Sequence, residues 1–319
     1  MRTGRWLLVF VLAVSHYAQA QTGKWPEKPV RVVVPFAAGG STDIIARLLT
    51  ARLSQELGQQ FVVDNRGGAG GSIGAEIVAR ANPDGHTVII VAASYATNAA
   101  LYKIPYDPVK DIAAIAMLHK GPFLLAVNPS VPANNLKEFI ELLRAKPRTL
   151  NYGSSGIGGA THLATELFRQ MTKTEVLHVP YKGDAPAITD LLGGQIQFIF
   201  SSAPALMPHV KGGRVRALAV TTEQRSRELP DLPSISETVP GFEHTSWNGM
   251  WAPAATPKEI VARLNQTLGH ILSQPDLQER LRIEGRESAH STAEEFQRVI
   301  ARDIAKYTKV VKSGNIKVQ

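Results

Sequence analysis

Apolar and polar positions follow two alternating periods along this chain. From Lys28 onward, short β-branched or aromatic runs that predict strands alternate with stretches whose apolar residues recur at helical spacing. The first pair is a strand over 31–34, which stops at Pro35, and a helix with Gly58 just past its end. The apolar face of that helix carries Ile45, Leu48, Leu49, Leu53 and Leu57. This alternation is typical of βαβ units, in which helices cover both faces of a largely parallel sheet.

The same patterns predict further elements along both halves of the chain. In the first half they are strands over 61–64 and 87–92, a short helix ending at Arg80, an irregular segment from Ser94 to Asp111, and two strands over 112–118 and 123–127 that flank Gly121 and Pro122. In the second half they are strands over 150–152, 176–179, 195–200 and 215–221, with helices from the Asn135 cap to Lys146, up to Met171 and up to Gly193. The chain ends in helices over 257–273 and 276–284 and in a last helix opened by the capping-box pattern of Thr292 and Glu295.

Three strand-to-helix junctions are rich in glycine: 39–40, 67–74 and 153–159. In open α/β sheets ligands bind at the carboxyl ends of strands, where these junctions lie, and the free N–H groups at a helix start attract anions. Because the junctions occur in both halves of the chain, they predict two α/β domains that face one anion-binding cleft. The alternative is a plain turn in which Ser41 and Asp43 only cap the helix that follows.

The first 20 residues have the pattern of a cleavable signal peptide. Arg2 and Arg5 form a basic region, residues 6–14 form an apolar region too short to span a membrane, and Ala18-Gln19-Ala20 is a small-x-small cleavage site. We therefore expect a soluble, periplasmic protein that matures by cleavage after Ala20. The chain has no cysteine, which excludes disulfides, thiolate chemistry and a lipid anchor on cysteine.

The chain carries a formal net charge of +8, of which the two arginines of the predicted signal peptide contribute part. A mildly basic exported protein suits small anionic ligands, because a positive cleft raises the rate at which they are encountered. A basic surface that is merely solvated would give the same net charge. Lysine and arginine form no stripe interleaved with aromatic residues, so nucleic acid is not an expected partner.

Motifs of nucleotide, metal and nucleophilic chemistry are missing from the sequence. It contains neither G-x-G-x-x-G nor G-x-x-x-x-G-K-[ST], and its nine histidines show no H-x-H or H-E-x-x-H spacing. The nucleophile elbow G-x-S-x-G fails because Ile157 stands where its last glycine belongs. We therefore expect no cofactor, no metal and no catalytic activity, and a binding protein is the simplest interpretation. An exported hydrolase that uses Ser154 or Ser155 with His162 remains an alternative.

Several polar and aromatic side chains near the junctions each have two interpretations. His162 lies in the first turn of a helix, where it either reaches a bound carboxylate or bonds the local backbone. Lys182 is a cation in the cleft or a solvated loop lysine. Asp184 either selects an ammonium or hydroxyl group of the ligand or caps the helix that follows. Trp247 and Trp251 line the cleft or pack at a hinge, and core packing suits Trp251 better.

Six segments in order along the chain resemble one protein family. They are Pro35-Phe-Ala-Ala-Gly-Gly-Ser-Thr-Asp43; Asn65-Arg66 with the following Gly-Ala-Gly-Gly-Ser-Ile-Gly-Ala; Leu101-Tyr102 with Pro105-Tyr-Asp-Pro-Val-Lys-Asp111; Tyr152-Gly-Ser-Ser-Gly-Ile-Gly-Gly-Ala-Thr-His162-Leu163; Val179-Pro-Tyr-Lys-Gly183; and Trp247-Asn-Gly-Met-Trp-Ala-Pro-Ala-Ala-Thr-Pro257. Together they resemble the extracytoplasmic substrate-binding receptors of tripartite tricarboxylate transporters, often called the Bug family.

The resemblance implies a periplasmic binding protein of the two-crossover, type II-like kind. Such a protein has two domains, each a mixed, mostly parallel sheet flanked by helices, with the ligand cleft between them. By similarity one domain would hold residues 26–118 plus 248–319 and the other residues 119–247. We further expect a monomer whose partners are the membrane subunits of a transporter or, alternatively, a sensor kinase of a two-component system.

In this family one loop from each domain grips a carboxylate through backbone N–H groups and hydroxyls, partly through ordered waters. The loops correspond here to Phe36–Asp43 and Ser154–His162. The residues expected to bind a small organic carboxylate are Phe36, Ala38, Gly39, Gly40, Ser41, Thr42, Asp43, Ser72, Ser94, Tyr95, Ser154, Ser155, Gly156, Gly158, Thr161, His162, Lys182, Asp184 and Trp247. The chain departs from the family pattern at Tyr95, Ala99 and Ala255, where histidine, proline and glycine are common, so a relative's ligand is not carried over.

Overall fold

The computed structural model describes residues 25–36, 38–68, 71–181, 183–283 and 285–317, except for the side chain of Ser41. The predicted signal peptide, Ala37 and Lys182 lie outside the described residues. The strands are β1 (Val30–Val34), β2 (Phe61–Asn65), β3 (Thr87–Ala92), β4 (Ile112–Val127), β5 (Asn151–Ser154), β6 (Leu177–Pro180), β7 (Phe198–Ser202), β8 (Arg216–Val220), β9 (Thr245–Pro253) and β10 (Glu287–Ser288). The helices are α1 (Ser41–Leu57), α2 (Ser72–Ala79), α3 (Ser94–Leu101), α4 (Leu136–Ala145), α5 (Ala160–Thr172), α6 (Asp184–Leu192), α7 (Ala203–Lys211), α8 (Lys258–Leu272), α9 (Pro275–Ile283) and α10 (Ala293–Ser313).

These strands form one sheet made of two sections with the same topology. The first section has the order β2-β1-β3-β9-β4, and the second has the order β6-β5-β7-β4-β8. In each section the first three strands pair in parallel and the next two pair antiparallel. The predicted α/β class and the mixed sheet flanked by helices are confirmed, and the domain boundaries stay a prediction. No helix within the described ranges is both long enough and apolar enough to cross a bilayer.

Strand β4 runs through both sections, and β9 returns beside it. Residues 112–122 of β4 pair with β9, and residues 123–127 pair with β7. The prediction of two strands interrupted at Gly121 and Pro122 was therefore wrong. Both residues pair with β9, and because a proline removes only one donor, the loss of one hydrogen bond does not end the strand.

Two helices and two strands were not predicted from the sequence. The segment predicted to be irregular begins with α3, in which residues 95–98 are all buried, so no polar face reveals the helical period. Helix α7 contains Pro208 in its interior, where a proline normally breaks a helix, although Pro204 in its first turn is well tolerated. Strand β9 is buried from residue 247 to residue 253, so its side chains show no alternation. Strand β10 has only two residues.

Apolar side chains on the two faces of the sheet enter three clusters. In β1, Val33 enters one cluster while Val30, Val32 and Val34 enter another, as expected for a strand covered on both faces. The cluster of Val33 is continuous across both sections and packs α2, α3, α4, α5 and α10. The opposite face is divided between α1, α8 and α9 on the first section and α6 and α7 on the second. The two sections thus share a core on one face of the sheet only.

Three predicted helix ends are confirmed. Gly58 follows α1 in the left-handed region, with φ at 71°. Asn135 caps α4 by accepting a hydrogen bond from the N–H of Glu138. Thr292 and Glu295 form a capping box at the start of α10. Local sequence signals therefore fix these ends correctly.

Candidate functional site

The carboxyl ends of strands from the two sections face each other along β4. Ala92, at the end of β3, pairs with Asn248, which also pairs with His119 of β4. Ser202, at the end of β7, pairs with Phe123 of the same strand. His119 and Phe123 are four residues apart on β4, so the two edges are separated by about 14 Å along this strand. The loops that follow β1 and β5 lie at these two edges, because β1 pairs in parallel with β3 and β5 pairs in parallel with β7.

The loop after β1 is held by the buried carboxylate of Asp43, which is 1% exposed. Oδ2 accepts hydrogen bonds from the N–H of Gly39 (2.8 Å) and from Arg47 Nε (2.9 Å). Oδ1 accepts one from Asn65 Nδ2 (2.9 Å). Burial raises the pKa of this carboxyl, but the hydrogen bonds outweigh burial and lower the pKa to about 2. Asp43 was predicted as a ligand contact, but both oxygens of its carboxylate accept hydrogen bonds from the protein itself.

Helix α1 begins without a capping side chain. Its N-cap residue is Gly40, and within the described part of the chain no hydrogen bond is donated by the N–H groups of residues 41–43. Thr42 Oγ1 accepts a hydrogen bond from Asn248 Nδ2 (3.1 Å), which links the helix start to β9. Ala38 is exposed beside this turn. The helix start therefore offers N–H donors to an anion in the cleft.

A small cavity lies between this loop, α2 and α3. It measures about 10 Å³, room for about one water molecule, and it is lined by Pro35, Phe36, Gly71, Ser72, Val91, Ala92, Tyr95, Asn98 and Tyr106. Tyr95 donates its hydroxyl to the carbonyl oxygen of Pro108 (2.9 Å) and packs its ring on Trp251. The hydroxyl oxygens of Ser72 and Ser94 are buried and make no hydrogen bond with the described residues. Ser72, which lines the cavity, and Ser94, which does not, thus lack a partner among the described residues, whereas Tyr95 contributes only its ring to the cavity.

The loop after β5 folds onto its own side chains. Three of its N–H groups bond side chains at the end of β5 or the start of α5: Ser155 to Thr161 Oγ1 (2.8 Å), Gly156 to Ser154 Oγ (3.2 Å) and Gly158 to His162 Nδ1 (2.9 Å). The glycine N–H groups that the sequence suggested as anion donors are therefore largely used within the loop.

Helix α5, which follows that loop, begins without a capping side chain. Its N-cap residue is Gly159, whose own N–H bonds the carbonyl oxygen of Gly156 (3.1 Å). The N–H groups of residues 160–162 donate no hydrogen bond within the ranges that the structure describes. The donors open to an anion thus belong to the first turn of α5 rather than to the glycine loop.

His162 stacks on His178, with ring centroids 4.1 Å apart and planes 8° apart. Burial lowers the pKa of both histidines, and His162 lowers that of His178 further, to about 4. His178 Nε2 lies 2.6 Å from Ser154 Oγ. The hydrolase alternative needs His162 to bond Ser154 or Ser155, but among the described residues His162 Nδ1 accepts from Gly158 instead. The local-backbone interpretation of His162 is therefore the one observed.

Asp184 occupies the first position of α6, after the N-cap residue Gly183. Its Oδ2 accepts the hydroxyl of Ser201 (2.9 Å), and its Oδ1 is buried without a hydrogen bond to the described residues. Burial raises the pKa of this carboxyl, which the hydroxyls of Ser201 and Ser155 partly offset. The predicted capping bond is not formed by this side chain. The N–H of Gly183 bonds the Ser155 carbonyl oxygen (3.2 Å), so Asp184 lies beside the loop after β5.

Trp247 lies in the core, which corrects its prediction as a ligand contact. Its side chain is 1% exposed, donates Nε1 to Asp303 Oδ2 (2.9 Å) and packs edge-on against Phe296 of α10. Trp251 is also fully buried, as its core-packing interpretation predicted. Tryptophan has a large apolar ring and a polar N–H, and it is found both in binding clefts and in cores. The sequence alone therefore does not show which of the two places a tryptophan takes.

Three polar residues that organise the cleft were not predicted: Asn248, Ser201 and His178. Asn248 bonds Thr42, Ser201 bonds Asp184, and His178 bonds Ser154. One signal was present for Asn248, because a polar amide within the apolar run from Trp247 to Trp251 must find a partner when the strand is buried. The other two depend on which strands are neighbours, and local patterns do not show this.

Known proteins resemble this chain over most of its length. The family model described as "Tripartite tricarboxylate transporter family receptor" matches residues 45–316. Protein BugT of Bordetella pertussis is 31% identical, over 98% of this chain and 97% of its own. The structure of R. palustris Rpa4515 with adipate is 41% identical with a TM-score of 0.75, over 92% of this chain and 99% of that chain. MatC from Rhodopseudomonas palustris with bound malate is 33% identical with a TM-score of 0.72, over 90% and 100%.

Proposed function

Because the chain belongs to the family of tripartite tricarboxylate transporter receptors, we propose that it captures a small organic carboxylate between the two sections of its sheet. The observation that carries this proposal is the pair of uncapped helix starts, α1 and α5, on strand ends that face each other along β4. A helix start offers unpaired N–H donors and the positive end of the helix dipole, and both favour an anion.

Buried acceptors hold both loops before a ligand arrives. Asp43 binds the N–H of Gly39, and His162 binds the N–H of Gly158. Little conformational entropy is then lost when the carboxylate binds, because both loops are already held in one conformation. This preorganisation supports binding mainly by main-chain N–H groups.

The expected affinity follows from a few such hydrogen bonds. A hydrogen bond to a charged group contributes about 1.5–3 kcal/mol net. A micromolar dissociation constant corresponds to about 8 kcal/mol. Three to five bonds from α1, α5 and the hydroxyls of Ser72 and Ser94 reach that range after part of the energy has been used to bring the two sections together.

Movement of the two sections relative to each other is the proposed mechanism of capture. Among the described strands, β4 and β9 run between the two sections. The helices on one face of the sheet pack on each section separately, whereas the core on the other face is shared. A carboxylate that bonds both helix starts stabilises the closed arrangement, which is a shift between two populations. The membrane subunits of a transporter are the proposed partner of the closed form.

The relatives support the ligand class. Rpa4515 is described with adipate and MatC with malate, and both ligands are carboxylates. We propose the same class for this chain, with the N–H groups of residues 41–43 and 160–162 as the main donors. Export by cleavage of the signal peptide, a periplasmic location and the absence of catalysis belong to the same proposal.

Calorimetry on the mature protein tests the proposal after a thermal-shift screen against organic acids. We expect at least one small carboxylate to raise the melting temperature and to bind with a dissociation constant in the micromolar range or below. If amides and alcohols of the same carbon skeletons stabilised the protein as strongly as the acids, an anion site would be ruled out.

A further inference from the structure

Asp184 puts a carboxylate oxygen beside the loop after β5 without a matching donor. Its Oδ2 is bonded to Ser201, which is itself fully buried. Its Oδ1 is enclosed and receives no hydrogen bond from the described residues. The hydroxyl of Ser155 lies near enough to Asp184 to lower the pKa of that carboxyl, but the hydrogen bond that it forms is with Thr161 Oγ1 (2.9 Å). A buried polar atom without a partner is uncommon in folded proteins and needs an explanation.

The position of Asp184 joins it to the proposed site. Tyr181 N–H bonds the carbonyl oxygen of Ser154 (3.0 Å), and Gly183 N–H bonds that of Ser155. Asp184 therefore follows the end of β6 directly beside the loop after β5, while Ser201 holds it from the end of β7. Three strand ends of the second section meet at this carboxylate.

An acceptor at this place changes what the site selects. The helix starts and the serine hydroxyls are donors, and they suit the oxygens of a carboxylate. A second carboxylate group of the ligand next to Asp184 would meet a buried acceptor and be repelled. A hydroxyl or ammonium group would instead supply the missing donor. A site built to bond such a group discriminates strongly against analogues that lack it.

We propose that Asp184 Oδ1 accepts a hydrogen bond from a hydroxyl or ammonium group of the ligand, so that the preferred ligand is a hydroxy- or amino-carboxylate. This inference rests on the proposed capture of a carboxylate. The bond between Ser201 and Oδ2 explains one oxygen of Asp184 as a structural link, but it leaves Oδ1 unexplained. The burial that raises the pKa of this carboxyl is consistent with an oxygen that lacks a donor.

Matched acid pairs test the inference by calorimetry on the full mature chain. The probes are malate and aspartate against succinate, 3-hydroxybutyrate against butyrate, and 4-hydroxybenzoate against benzoate. The variants are Asp184→Ala, Asp184→Asn and the exposed control Asp231→Asn, which changes the net charge of the protein as Asp184→Asn does. The ratio of dissociation constants within a pair is the readout, because a purely structural role of Asp184 would weaken both members alike.

In the unmodified protein we expect the donor-bearing acid of at least one pair to bind tenfold or more tightly than its partner. Asp184→Ala should bring that ratio below about threefold, and Asp231→Asn should preserve it. If Asp184→Ala does not fold, Asp184→Asn serves in its place, and the preference for aspartate over succinate should fall. Plain acids that bind as well as their hydroxylated partners, or a preference that survives both Asp184 variants, would overturn the inference and leave the proposed function intact. If no acid of the panel or of the wider screen bound, the proposed function itself would fail.

Discussion

The N–H of Gly158 donates a 2.9 Å hydrogen bond to Nδ1 of His162, the third residue of α5. The N–H of Gly39 makes the same connection to Oδ2 of Asp43 (2.8 Å), the third residue of α1. In both loops the donating glycine directly precedes the N-cap glycine. In both loops a buried acceptor therefore binds the N–H of the glycine that precedes the N-cap residue. The N–H groups of the first helical turn are left for the cleft.

Acid should loosen the second of these loops. Protonation of His162 Nδ1 removes the acceptor for Gly158, and burial lowers the pKa of His162 in the folded protein. The unfolded chain takes up that proton near pH 6.5, so the free energy of unfolding falls as the pH drops below about 6.5. For His178 the loss continues down to its folded pKa of about 4. We expect the melting temperature and the carboxylate affinity to decrease between pH 6.5 and pH 4.

The variant His162→Asn tests this effect for the stacked pair, because it also removes the charge of His162 that lowers the pKa of His178. Its amide oxygen can accept the Gly158 N–H but does not titrate. The buried histidines His119 and His244, whose pKa values are lowered to about 3, titrate in both proteins and cancel in the comparison. Melting temperatures measured from pH 7 to pH 4 should depend less on pH in the variant. Equal slopes for the two proteins would show that His162 does not carry the pH dependence.

Asp43→Asn should destabilise the first loop. The amide keeps the size of the side chain but loses the charge that holds Arg47 and the N–H of Gly39. We expect the free energy of unfolding in urea to fall by about 1–3 kcal/mol and the carboxylate affinity to fall with it. The pKa of Asp43 is lowered to about 2, so its contribution is present above about pH 3.8 and is lost as the pH falls toward 2. The difference between the two proteins should therefore be constant from pH 7 to pH 5.

Gly40→Val should reduce binding far more than stability. Gly40 has φ −74° and ψ 165°, an extended conformation that valine adopts readily, so folding needs no glycine there. A β-branched side chain at the N-cap would block the approach of a carboxylate to the first turn of α1. We expect a loss of affinity of tenfold or more with a melting temperature within a few degrees of the unmodified protein, as measured by calorimetry.

A matched control for that variant is Gly193→Val. Gly193 follows the far end of α6, and a side chain there meets only ordinary contacts. Its affinity for the carboxylate should be unchanged. If Gly40→Val also bound as the unmodified protein does, the turn before α1 would be structural only.

Asp303→Ala should destabilise the protein without changing the cleft. Asp303 is 3% exposed and accepts the indole N–H of Trp247, so its removal leaves that donor buried and unpaired. A cost of about 1–3 kcal/mol in the free energy of unfolding is expected from the indole alone. The folded fraction should bind a carboxylate as before. A large change of affinity at equal folding would place Trp247 in the binding site after all.

The sequence predicts the fold where local signals act alone. Capping residues, glycine after a helix and the helical spacing of Ile45 to Leu57 identify α1, α4 and α10 well. Helix α3 and strand β9 were missed because they are buried on several sides, and a buried element shows no polar face. The continuity of β4 through Pro122 depends on pairing with β9, a contact that is distant in sequence.

The sequence predicted the positions of the two loops but not the hydrogen bonds within them. Glycine content located both loops, because glycine permits close approach to the backbone. It did not show which N–H groups stay open, since that depends on the side chains of Thr161 and His162 folding back onto the loop. The core position of Trp247 depends on α10, which packs against it from the far end of the chain.

A crystal structure of the protein with a bound carboxylate, identified by mass spectrometry of material purified without denaturation, tests the central claim most directly. We predict a carboxylate group bonded, directly or through one water, to first-turn N–H groups of both α1 and α5. A carboxylate held by one section alone, or bound away from both helix starts, would contradict this account.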